Sequence, residues 1–84
     1  MLNHPFVLEQ ARVTAQKLLD DTQASDAQRV ERIFRQTLGR TPSEREQQAA
    51  LSYLAQANTE DAKLRTWSQL CQSLFASIDF RYIE

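Results

Sequence analysis

His4 and Cys71 are the only histidine and the only cysteine in a chain of 84 residues, and they bound the chemistry this sequence could perform. A thiol beside an imidazole is a nucleophile with its base. Cys71, however, sits in Leu70-Cys71-Gln72-Ser73-Leu74, on an apolar stripe at helical spacing. A buried thiol behaves there as a small hydrophobe and reacts poorly, so Cys71 is expected in the core. His4 precedes Pro5 at a helix start, where a capping or exposed role is ordinary. No second histidine or carboxylate cluster at ligand spacing accompanies it. No metal site is expected, and a lone cysteine excludes an intrachain disulfide.

The remaining acids read as structural. Glu60-Asp61 suit the positive end of a helix, and Asp20-Asp21 fall in a corner where turn chemistry explains them. The chain has no Gly-rich phosphate loop, no GxSxG elbow and no HExxH pair. Nothing assembles the acid, base and oxyanion set of a catalytic site. The expectation is a protein without catalytic residues and without a cofactor.

Arg29, Arg32 and Arg35, with Arg40, offer the best partner surface. Guanidiniums on one helix before a tight helical corner could contact phosphates, as in helix-turn-helix proteins. A small arginine-faced DNA-binding domain is therefore the alternative reading. Against it, Asp26 and Glu31 interleave with the arginines, and the net charge is −1, where nucleic-acid binders are usually basic. A solvated face laced with local ion pairs is expected, including Glu31 with Arg35, and no nucleic-acid partner.

The elements that must carry these residues are helical. There is one glycine and there are two prolines, and Gln, Ala, Leu, Arg and Glu dominate, all good helix formers. A first helix is expected from Pro5 to Leu19, capped by Asn3 or His4, with Leu8, Ala11, Ala15, Leu18 and Leu19 on one face. Phe6 and Val13 fall on the opposite side. Asp20–Ala24 make a corner. Ser25 with Gln28 forms a capping box for a second helix, Asp26–Leu38, that buries Val30, Ile33, Phe34, Thr37 and Leu38.

Gly39 can close that helix in the left-handed conformation. Thr41 as cap, Pro42 in the first position and Glu44 completing the box would open a third helix ending near Ala57. Ala50, Leu51 and Leu54 are its apolar face, with Tyr53 on the flank and its hydroxyl wet. Asn58 stops it and Thr59 caps the fourth. The fourth helix carries Leu64, Trp67, Leu70, Cys71, Leu74 and Phe75 on a broad stripe, with Trp67 at its centre. After Ser77 a turn and a short tail held by Phe80 and Tyr82 are expected.

No apolar run approaches the ~20 residues that span a bilayer. The N-terminus lacks a basic start, and Glu9 and Arg12 interrupt the apolar stretch a signal peptide needs. No membrane partner is expected, and this stretch carries no export signal.

Three segments together carry a family likeness. Asn3-His4-Pro5-Phe6-Val7-Leu8-Glu9-Gln10-Ala11 resembles the NxPFVxEQA stretch of a planctomycete domain family of unknown function. Arg32-Ile33-Phe34-Arg35 leading to Leu38-Gly39-Arg40-Thr41-Pro42 resembles its RxxRLxLGRxP corner. Trp67 to Leu74, followed by Ser77, Phe80 and Tyr82, resembles its closing WxxLCQxLxxSxEFxY segment. Ile78-Asp79 departs from the Asn-Glu pair usual before the last aromatic. That family occupies the C-terminal part of large exported proteins, which often also carry a cytochrome-c-like domain. The resemblance implies that these residues are the tail end of a longer, exported protein, periplasmic or at the cell surface. Any haem belongs to another domain, since no Cys-x-x-Cys-His is present. A looser likeness, to a bacterial helical domain near the C-terminus of surface and secreted proteins, points the same way.

The expected fold is all-α, one domain over residues 1–84, a compact bundle of four helices with short corners. Its core is expected to draw on Leu8, Ala15, Leu18, Val30, Ile33, Phe34, Leu38, Leu51, Leu54, Trp67, Leu70, Cys71 and Leu74. The expected function is a structural or interaction module, monomeric in isolation, whose partner is the rest of its parent protein or another protein. Phe6 and Val13 are the first residues to test as that contact; the plainer reading of the pair is a frayed helix start and one stray apolar residue. A further alternative is an accessory segment that completes an enzyme active site in the parent.

Overall fold

A computed structural model describes the backbone of residues 5–83 and the side chains of residues 7–76. The chain forms four helices, α1 (Pro5–Asp20), α2 (Asp26–Leu38), α3 (Glu44–Leu54) and α4 (Glu60–Ile83), and no strand among the described residues. The all-α bundle with short corners is as the sequence predicts.

The capping chemistry of α2 is as expected at both ends. Ser25 Oγ accepts from the Gln28 N–H at 3.2 Å, and Gln28 Oε1 accepts from the Ser25 N–H at 2.9 Å. Gly39 adopts φ 70°, and its N–H closes on the Arg35 carbonyl at 3.0 Å. A Cβ at that φ would be strained, although no heavy atom lies within 4 Å of where it would stand.

The start of α3 corrects the expectation. The cap is Ser43, not Thr41, and the reciprocal partner is Glu46, not Glu44. Thr41 and Pro42 stay in the corner. Both Thr41-x-x-Glu44 and Ser43-x-x-Glu46 satisfy the capping-box pattern. The second wins an extra pair, because the Arg40 guanidinium donates to Glu46 through Nη1 at 2.8 Å and Nη2 at 3.0 Å. At its other end α3 stops at Leu54, before the expected Ala57. Its last carbonyls turn tighter, with Gln56 N–H to Tyr53 O at 3.3 Å and Ala57 N–H to Leu54 O at 3.2 Å, the i→i+3 closure common at helix ends. Thr59 caps α4 as predicted, its Oγ1 accepting from the Ala62 N–H at 3.0 Å.

No turn follows Ser77: the helical backbone continues to Ile83. Neither glycine nor proline occurs between Glu60 and Ile83, so nothing breaks the hydrogen-bond ladder. The side chains of Phe80 and Tyr82 lie outside the described residues. At 24 residues and ~1.5 Å per residue, α4 runs the whole long dimension of the molecule, 36 Å. It packs on all three other helices, most extensively on α1, whereas α1 makes far fewer contacts with α2 or α3.

The core gathers around α4. Trp67 is 2% exposed, and Cys71, Val30, Ile33 and Ala15 are sealed with Ala11, Leu18, Phe34, Ala50, Leu54 and Leu74. Alanine at positions 11 and 15 lets α1 approach its neighbour closely, since contact side chains set interaxial distance. Leu38, Leu51 and Leu70, expected inside, are half-buried and pack against the core with Leu19, Leu64 and Phe75. Leu8 is the clear correction, at 42% exposure. It shares the stripe of Ala11, Ala15 and Leu18, but the bundle leaves an open groove at that end of α1.

Candidate functional site

Two surfaces stand out, the arginine-bearing corner between α1 and α2 and the groove between α1 and α4. At the corner, α1 ends at Asp20, and Asp21 organises the turn. Its Oδ1 accepts from the Gln23 N–H at 3.2 Å and its carbonyl from the Ala24 N–H at 3.3 Å. Arg29 reaches into this turn from α2. Its Nε donates to Leu18 O at 2.9 Å, Nη2 to Asp21 O at 2.9 Å and Nη1 to Asp26 Oδ1 at 2.8 Å. Its side chain is 13% exposed.

The other arginines are engaged too. Arg32 Nη1 meets Asp21 Oδ2 at 3.2 Å, Arg35 lies 3.7 Å from Glu31, and Arg40 is forked on Glu46. The Arg40 guanidinium also lies 5.9 Å from the Phe34 ring centroid, within cation–π range. The Arg32 guanidinium, with help from the turn amides, holds the Asp21 carboxyl below its ordinary range. Arg40 and the Ser43 amide draw Glu46 down to about 2. Each arginine of the sequence-predicted face therefore has an acidic partner within the domain. A polar cleft of about 480 Å³ opens beside Asp21, Gln28, Glu31, Arg32 and Arg35, and its charges are already matched.

The second surface is apolar. A groove of about 330 Å³ runs between α1 and α4, floored by Leu8, Ala11, Leu64 and Ser68 and edged by Arg12, Asp61 and Arg65. Arg12 is held by Glu9 on its own helix at 2.8 Å, and that pairing lowers the Glu9 pKa. A second apolar cleft, of about 530 Å³, lies on the far side of α4, between Phe34, Ala50, Tyr53 and Leu70. Tyr53 is exposed as expected, but its hydroxyl donates to Gln69 Oε1 and links α3 to α4.

Of the residues weighed for chemistry, Cys71 lies in the core, and burial pushes its thiol up to about 12. It lines neither the groove nor the clefts. His4 lies outside the described residues, as does the side chain of Phe6. Val13 is half-buried and does not join the core cluster. The sequence reading missed the groove because Leu8 falls on the inward stripe, and spacing cannot say how far along a helix its neighbour covers it. Among the described residues no group of acidic, histidine or cysteine side chains could hold a metal ion, and no helix is long and apolar enough to cross a membrane.

No curated protein and no solved structure matches the chain. A family model, PSD1, described as a protein of unknown function (DUF1553), matches residues 1–54, the stretch that holds α1, α2 and α3. Covering well over half of the chain, that match places it in the DUF1553 family.

Proposed function

We propose that this chain is a non-catalytic interaction module, which a larger exported protein uses to dock or brace its other parts. One observation carries the reading: Leu8 stands 42% exposed at an apolar groove between α1 and α4, while the arginines of the corner spend their charge inside the domain. A lone exposed leucine is ordinary, but Leu8 is continuous with Ala11 and Leu64 in one apolar groove rimmed by Arg12, Asp61 and Arg65, and contiguous apolar surface with a polar rim marks a site that another polypeptide covers. Export and the planctomycete setting rest on the resemblance of the three sequence segments, and the groove is the contact surface, with the Phe6–Val13 face as the second candidate. The partner is the remainder of the parent chain.

The test uses a Leu8→Cys variant. Cys71 is buried with a raised pKa, so the introduced thiol is the reactive one. It should label rapidly in the isolated 84 residues and at least tenfold more slowly in the full product of the encoding reading frame. Equal rates in the two, or a reading frame with nothing to cover the groove, would overturn the proposal.

A further inference from the structure

We draw no further inference here: the strongest candidate, the apolar groove between α1 and α4 floored by Leu8, Ala11 and Leu64 and rimmed by both Arg65 and Asp61, belongs to the docking surface already proposed, and nothing in the structure shows the chemistry of what covers it.

Discussion

Arg29 closes the end of α1 from the helix that follows it, its Nε donating to the Leu18 carbonyl oxygen at 2.9 Å. The last four carbonyls of a helix have no partner within it. Here one is met by a guanidinium that also holds Asp21 O and Asp26 Oδ1. The planar fork suits three acceptors at once, where a lysine ammonium is a point charge on a flexible stem. Arg29→Met keeps the stem and removes the donors, leaving half-buried carbonyls unmet. It should cost about 1.5–3 kcal/mol in urea denaturation. Arg29→Lys should recover only part of that, and Arg32→Met, which loses one exposed ion pair, should unfold close to wild type. Equal losses at positions 29 and 32 would show that the corner is not held this way.

Trp67 ties the family-matched segment to the helix outside it. The match ends at Leu54, yet α1 packs chiefly on α4, so α1, α2 and α3 share a core only because Trp67, Cys71 and Leu74 fill it. Trp67→Ala should cost about 3–5 kcal/mol, most of the stability available to so small a domain. Loss of the cooperative melt, with α1 and α2 exchanging amide protons as fast as α4, is the expected result. Protection that survived in α1 alone would mean that α1 does not depend on α4.

What could be read from the sequence was local. Ser25, Gln28 and Gly39 fix both ends of α2 because each cap is satisfied within four residues. The stripe of α4 singles out Trp67 for the same reason. The choice between Thr41 and Ser43 could not be read, because Arg40 decides it by folding back on Glu46, six residues away. The ion pairs of the arginine face were legible where they are local, as at Glu31 and Arg35, 3.7 Å apart, and hidden where they cross the corner, as at Arg32 and Asp21. Residues 29, 32 and 35 step round the helix by about 60° each, so they share one face, and Arg29 and Arg32 both reach the corner, Arg29 at the Leu18 and Asp21 carbonyls and Arg32 at the Asp21 carboxylate. Leu8 shows the limit most plainly: its periodicity is right, and periodicity does not set how much of a stripe the neighbouring helix covers.

Cys71 gives a separate check on the core. Burial raises its pKa from 9.0 to about 12, so the folded protein keeps the proton over a range in which the unfolded chain releases it. The contribution of Cys71 should then be constant below pH 9 and fall as pH rises from 9 towards 12. Cys71→Ala should flatten that alkaline limb. At neutral pH, disulfide-exchange labelling of the native protein should proceed only through unfolding, and its rate should rise with urea. Fast labelling without urea would place the thiol in a solvent-open site.

Glu46 makes the α2–α3 corner sensitive to acid. Its Oε1 accepts from both the Ser43 N–H and Arg40 Nη1 at 2.8 Å, and Oε2 accepts from Arg40 Nη2 at 3.0 Å. These contacts pull the carboxyl from 4.5 down to about 2. Between those values the unfolded chain holds a proton that the folded chain does not. The contribution of Glu46 is therefore complete above pH 4.5 and is lost as pH falls towards 2. Glu46→Gln can still accept from the Ser43 N–H, as a capping box allows, but it cannot ionise. Helicity should persist in the variant, while its Tm falls less steeply than wild type between pH 5 and pH 2. Glu9 and Asp21, also shifted down, would supply what remains of the slope. Parallel acid limbs for the two proteins would mean that the Arg40 fork is not formed in solution.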